Sequence, residues 1–309
     1  MLRTQSLTAQ SKLFRLVTLL VLAVTASSCA WLDVKQRNLI YRPTPSLAAS
    51  MQGLRASDQR YFIDIAPAAQ SGPERERIEL WWLPHENKSA PTLLYCHGTF
   101  RHLEQNLPKI NALREAGFSI LAVEYRGWGQ SSAITPSEKT ILHDAELAFA
   151  ELRKREPRAQ QRVIFGHSMG TGVAVDLASR LPQSGVLGDA LGGVILESAF
   201  TSFPDIAGEV GWYGRLLAWL NNERFASLEK IQKIKVPLLM LHGQRDTTVP
   251  AKLGKILFDA ASEPKRWVLL ENGKHSDLHA AHAAEYQGAV KEFIRNLQST
   301  AQPALSAKP

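Results

Sequence analysis

The chain has 309 residues, with 36 Lys and Arg against 29 Asp and Glu, a formal charge of +7, and two cysteines. The charge is too mild, and basic residues too little interleaved with aromatics, for a nucleic-acid-binding surface. Two cysteines, Cys29 and Cys96, make no metal site at that separation, and a disulfide between them is open only in an oxidising compartment with Cys29 unacylated.

The first elements are addresses, not fold. Arg3, Lys12 and Arg15 precede an apolar run from Leu16 to Ala26, then Ser27, Ser28 and Cys29. This reads as a signal peptide over residues 1–28, since the run is shorter than the about 20 residues that span a bilayer. Three of the positive charges lie in this acid-free leader, so the remainder carries +4. Small residues before Cys29 resemble a bacterial lipobox, although Ala26 stands where leucine is usual; a simple cut after Ala26 or Ser28 would instead leave a soluble secreted protein. Lipidation at Cys29 is the reading preferred here, because two or more acyl chains anchor stably. Ala30 after the cysteine, rather than aspartate, resembles outer-membrane sorting with the protein facing the periplasm. Cys96, inside an apolar run, reads as a buried thiol.

Residues 29–60 read as a linker, 61–298 as one α/β domain with room for a sizeable core, and 299–309, rich in Ala, Ser, Gln and Pro, as a disordered tail. Within the domain, apolar runs predict strands at Tyr61–Ile65, Ile78–Leu83, Thr92–Cys96, Ser119–Glu124, Arg162–Phe165, Gly193–Leu196, Pro237–Leu241 and Trp267–Leu270. Helical spacing recurs at Ile141, Ala145, Ala148, Phe149 and Leu152, and from Tyr286 to Leu297. Two early strands followed by alternating helix and strand predict a mostly parallel, twisted sheet of about eight strands covered by helices. Chemistry in such a sheet gathers outside the carboxyl ends of the strands.

The residues that carry chemistry fall at those ends. Gly166-His167-Ser168-Met169-Gly170 follows the fifth run and matches the Gly-x-Ser-x-Gly nucleophile elbow, a sharp strand-to-helix turn. A serine hydroxyl needs a base, and the base an orienting acid. Of nine histidines, His275 lies in a turn directly after the last strand; His167 belongs to the elbow, and His279 and His282 are expected to face solvent. Asp246, after the seventh strand, is the expected acid, with Glu197 at the end of the sixth as runner-up and Asp277 too close to His275 in sequence. The order Ser168, Asp246, His275 is that of α/β-hydrolases. Backbone amides of Met169 and of Thr99, in the His97-Gly98-Thr99-Phe100 loop, are expected to form the oxyanion hole.

Together with Tyr125-Arg126-Gly127-Trp128-Gly129 and Glu197-Ser198-Ala199-Phe200, these motifs resemble the α/β-hydrolase branch that includes serine aminopeptidase-like proteins and depalmitoylases, over roughly residues 75 to 295. The resemblance implies Ser168 as nucleophile, Asp246 as acid, His275 as base, and no metal or organic cofactor. It implies a small-molecule or acylated substrate, cleaved as an ester or thioester through an acyl-enzyme; a peptidase on the same triad, or a noncatalytic envelope scaffold, are the alternatives. Thr99-Phe100-Arg101 stands where many relatives have Asn-Ala-Gly, so Phe100 reshapes the acyl site. The stretch from Trp212 to Leu220, within a possible cap over 198–235, reads either as a helix packed on the core or as a lid over an apolar acyl pocket.

Overall fold

The structure, a computed structural model, describes residues 18, 30–45, 52–65, 75–181, 191–214 and 222–301. Two compact units are distinguished, residues 1–42 and 43–309. The first contains a helix, α1, over residues 30–41, where the sequence suggests only linker. The lipidation candidate Cys29 and the rest of the leader lie outside the described residues, apart from residue 18. No helix among the described residues is long and apolar enough to cross a membrane.

The second unit is built on one eight-stranded sheet: β1 (Gln59–Asp64), β2 (Arg77–Leu83), β3 (Thr92–Cys96), β4 (Ser119–Glu124), β5 (Arg162–His167), β6 (Gly193–Glu197), β7 (Leu238–Gly243) and β8 (Lys265–Leu270). Their order across the sheet is β1-β2-β4-β3-β5-β6-β7-β8. β2 runs antiparallel to both β1 and β4, and the remaining pairs are parallel. The eight expected strands are all present, each with both ends within two residues of the predicted ones. β3, β4, β5, β6 and β7 are buried at every position because helices cover both faces.

The helices are α2 (Leu103–Ala116), α3 (Glu138–Arg155), α4 (Met169–Arg180), α5 (Phe203–Glu209), α6, which opens at residue 212, α7 (Ala251–Ala260), α8 (Leu278–Ala281) and α9 (Ala283–Ala301). α2 and α9 bring Leu107, Ile110, Leu113, Tyr286, Val290 and Phe293 onto one face of the sheet, against Leu93, Tyr95, Phe165 and Leu241. α3 and α4 pack together over the alternate strand residues. Each such side chain, fully buried, contributes about 1.5–3 kcal/mol. α3 starts on a reciprocal capping box, with the Ser137 hydroxyl accepting from the Thr140 amide and the Ser137 amide donating to Thr140 Oγ1, and closes on Arg153, Lys154 and Arg155 near its negative end. α9 extends through residue 301, so residues 299–301, expected in the tail, are helical, and 302–309 lie outside the described residues.

Buried ion pairs tie the sheet to its connections. Arg114 on α2 donates two hydrogen bonds to Asp58, at 3.0 and 2.7 Å, and both side chains are almost wholly buried. Arg126, just after β4, uses its amide and Nε to bond both carboxylate oxygens of Asp144 on α3, at 2.9 and 2.8 Å.

The chain leaves β3 toward β4 on one side and returns as β5 on the other. The sheet therefore has its topological switch point between β3 and β5, and sheets of this kind bind ligands beyond the carboxyl ends of the strands at that point. His97-Gly98 and Ser168 are the residues that follow those two strands.

Candidate active site

Ser168 sits between the end of β5 and the first residue of α4 with φ 53° and ψ −123°. A non-glycine residue in this region stores about 1–3 kcal/mol of strain, which persists only where the surroundings impose it. The flanking glycines show why they do. A Cβ on Gly170 would stand 2.1 Å from the Cys96 carbonyl oxygen, and one on Gly166 2.2 Å from that of Gly170. The elbow therefore turns in a space with no room for a methyl group. Gly170→Ala is expected to destabilise the fold by about 1–3 kcal/mol and to lower activity, checked by thermal unfolding together with initial rates.

The Ser168 hydroxyl lies 2.9 Å from His275 Nε2, and His275 Nδ1 lies 2.7 Å from Asp246 Oδ2. The three residues predicted from separate loops thus form one hydrogen-bonded chain: the hydroxyl donates to Nε2 while Nδ1–H donates to the carboxylate. Asp246 is buried and well supported. Its Oδ1 accepts from the amides of Thr248 and Val249, at 2.9 and 2.8 Å, and His242 Nε2 lies 3.5 Å from Oδ2. Burial pushes the carboxyl upward, but the hydrogen bonds from His242, His275 and the Val249 amide outweigh it and hold the group far below the usual carboxylate range. Asp246 is therefore an anion throughout the neutral range, able to orient the imidazole and stabilise its protonated form.

The loops bearing acid and base are joined by their backbones. The amides of Gln244 and Arg245 donate to the carbonyls of Leu270 and Gly273, at 3.0 and 2.9 Å. A Cβ on Gly243 would meet the Gly273 carbonyl oxygen at 2.4 Å, so glycine permits that close approach.

Glu197, the runner-up acid, is not available to His275. Its carboxylate is fully buried, paired with Lys109 of α2 and accepting the Tyr286 hydroxyl of α9 at 3.0 Å. Its role at the site is through the main chain, where its carbonyl accepts the Ser168 amide at 3.0 Å. Asp277 accepts the Lys274 amide at 3.0 Å, which shapes the turn behind His275. His279 is half-buried rather than solvent-facing, its ring 6.5 Å from that of Tyr286, and His282 bonds Glu285 at 3.0 Å.

Thr99 follows Gly98, whose position is close enough to the nucleophile that an added Cβ would stand 3.1 Å from Ser168 Cβ. The loop is held from three sides. His97 Nδ1–H donates to the Gly98 carbonyl at 2.7 Å, while its Nε2 lies 3.1 Å from Glu124 Oε1. The other Glu124 oxygen accepts the Leu103 amide at 2.8 Å, capping α2. Asn106 donates to the carbonyls of Arg101 and His102, at 3.2 and 3.0 Å. Phe100 occupies the left-handed region at φ 74° and is 45% exposed. Met169 is buried as the first residue of α4, so its amide belongs to the positive end of that helix.

Trp212 is 78% exposed at the start of α6, and Tyr213 is exposed beside it. Neither packs on the core, which disposes of the packed-helix reading for these two. Leu216, Leu217, Trp219 and Leu220 lie outside the described residues. Nearby, Phe203 stacks on Phe200 at 5.2 Å and meets Phe225 in a tilted pair at 4.9 Å, fixing α5 onto the domain.

Glu124, Lys109 and His242 were not singled out from the sequence, although each supports the site. Cys96 is a free, buried thiol whose pKa burial pushes up to about 12, so it is inert as a nucleophile. Among the described residues, no group of three or more His, Cys, Asp or Glu is placed to hold a metal ion.

Known proteins resemble this chain in sequence and in fold. Residues 87–230 match the family described as serine aminopeptidase, S33. The chain is 30% identical to the uncharacterized protein YfhR of Escherichia coli over 71% of this chain and 76% of that one. It is 34% identical to the lysophosphatidylserine lipase ABHD12 of Danio rerio over 60% of this chain, which spans 51% of that protein's length. Among solved structures, the esterase Pf2001 of Pyrococcus furiosus superposes with a TM-score of 0.60 at 18% identity, covering 82% of this chain and 97% of its own. That likeness is one of fold.

Proposed function

We propose, from the premise that this chain belongs to the serine aminopeptidase S33 family of α/β-hydrolases, that it cleaves carboxylic esters or thioesters through an acyl-enzyme on Ser168. The observation that carries the reading is the continuous chain Ser168 Oγ, His275 Nε2, His275 Nδ1, Asp246 Oδ2, with contacts of 2.9 and 2.7 Å. Ser168 Oγ attacks the substrate carbonyl as its proton passes to His275 Nε2. The amides of Thr99 and Met169 receive the oxyanion, each such donor contributing about 3–4 kcal/mol where measured. Collapse expels the alcohol or thiol, which takes the proton from His275. Water, deprotonated by the same imidazole, then releases the acid and regenerates the serine.

The ester reading is supported by the lysophosphatidylserine lipase among the relatives, which acts on a lipid rather than a peptide by its name. A panel of p-nitrophenyl esters, acyl-thioesters and aminoacyl amides on the purified protein tests it. Turnover of esters or thioesters above amides is expected; preference for aminoacyl amides would favour the peptidase.

Phe100 and the exposed Trp212 are assigned to substrate binding. Phe100 flanks the oxyanion loop and narrows the entrance, so short to medium acyl chains are expected to be preferred. Since each buried methylene contributes about 0.8 kcal/mol, Phe100→Ala should shift the optimum toward longer chains. Coincident chain-length profiles for parent and variant would contradict this.

The leader and Cys29 support anchoring at the bacterial envelope, with the enzyme on the periplasmic side of the outer membrane. Metabolic labelling with a palmitate analogue is expected for the parent and lost in Cys29→Ser. Equal labelling would reject the lipid anchor in favour of a secreted or periplasmic soluble form.

A further inference from the structure

The catalytic imidazole is aimed by Asp246, but its loop lies outside strand and helix and needs an anchor of its own. The His275 main-chain carbonyl accepts two side-chain hydrogen bonds, from His167 Nε2–H at 3.0 Å and from the Ser198 hydroxyl at 3.1 Å. We propose that His167 and Ser198 are positioning residues that clamp the His275 carbonyl and so fix the base against the nucleophile. The proposal rests on the assignment of Ser168, Asp246 and His275 made above.

The two donors come from the carboxyl ends of adjacent strands, β5 and β6, where the nucleophile is also held. Ser168 N–H donates to the Glu197 carbonyl at 3.0 Å, one residue before Ser198. Nucleophile and base are thereby referred to the same two strand ends, and a shift of the His275 loop cannot occur without breaking a bond to one of them. Ser198 itself has φ 56°, a conformation that serine keeps only where its surroundings impose it, with its amide tied to the Leu241 carbonyl at 3.0 Å.

His167 has the protonation that the clamp requires. Burial first, then the charge of Lys109, lowers its pKa well below the ordinary histidine value, so the ring is neutral near pH 7 and carries a single N–H. Donation to a carbonyl places that proton on Nε2. The nearest acid, Glu197 Oε1, lies 3.9 Å from Nε2, beyond hydrogen-bond distance, and is occupied by Lys109. The rings of His167 and His275 stand 5.2 Å apart and tilted, with His275 Nε2 at 2.9 Å from the Ser168 hydroxyl and His167 Nε2 on the His275 carbonyl.

Four variants test the clamp: His167→Leu and Ser198→Ala remove one donor each, the double variant removes both, and His167→Gln returns an N–H near the position of Nε2. Each is measured for kcat and KM with an ester substrate, for the far-downfield proton resonance of His275 Nδ1–H, and for thermal unfolding. Losses of about 10- to 100-fold in kcat with KM little changed are expected for the single variants, the scale of a small misplacement of a catalytic group. The double variant should lose less than the product of the two, and His167→Gln should recover most of the activity. The downfield resonance should broaden with the loss of either donor and return in His167→Gln. Parent-like kcat and resonance in folded His167→Leu would overturn the clamp, as would equal losses for Leu and Gln. If the Leu variant does not fold, Ser198→Ala and His167→Gln decide on the same criteria. The resonance needs no turnover, so a parent that cleaves no ester while its resonance still depends on the donors contradicts the proposed function and not the clamp.

Discussion

Ser168→Ala and His275→Ala are each expected to lower kcat by about 10⁶-fold while leaving the protein folded. Nucleophile and base act as one unit, so removing either forfeits nearly the whole contribution of the triad. The geometry supports this coupling, since Ser168 Oγ and His275 Nε2 are already within hydrogen-bond distance at 2.9 Å. Neither side chain carries the packing of the core, and Ser168→Ala leaves the Ser168 amide bonded to Glu197. Steady-state rates beside thermal unfolding curves check the prediction. Loss of activity explained by loss of folded protein would contradict it.

The two acids are expected to separate cleanly. Asp246→Asn should cost about 10⁴ in kcat, because the imidazole loses the anion that fixes its tautomer and stabilises its charged form. Its effect on the fold should be smaller, since the amides of Thr248 and Val249 can still bond the amide oxygen. Glu197→Gln should do the reverse. It removes the charge opposite Lys109 in a site where both side chains are buried, and breaking a buried pair in this way costs about 3–5 kcal/mol. Folded Glu197→Gln protein should retain far more activity than Asp246→Asn. The opposite ranking, in folded protein, would mean that the acid has been misassigned.

The sheet was legible because burial on both faces leaves β3 to β7 as short apolar runs, and the elbow because its glycines answer a steric demand that no other residue meets. His275 could be chosen among nine histidines from its place after the last strand. The preference for Asp246 over Glu197 rests on weaker ground, since Glu197 ends β6 and Asp246 follows the end of β7 by only three residues. What separates them is long-range: Lys109 lies 88 residues before Glu197 and reaches it only when α2 packs on the sheet. Glu124 is the same case, a strand-end carboxylate whose partners are a histidine just after the neighbouring strand and the first turn of α2. His167 was visible in the motif, but its use depends on the His275 carbonyl, 108 residues later. Around Trp212, apolar spacing indicated a helix without indicating what, if anything, it packs against.

The central claim is that Ser168 is the nucleophile, and active-site labelling tests it most directly. The purified protein is treated with a fluorophosphonate and digested, and the adduct is located by peptide mass spectrometry. A stoichiometric adduct on the peptide containing Ser168, absent from Ser168→Ala and strongly slowed in His275→Ala, is the predicted result. An unlabelled parent, or an adduct that persists on another residue in Ser168→Ala, would contradict it.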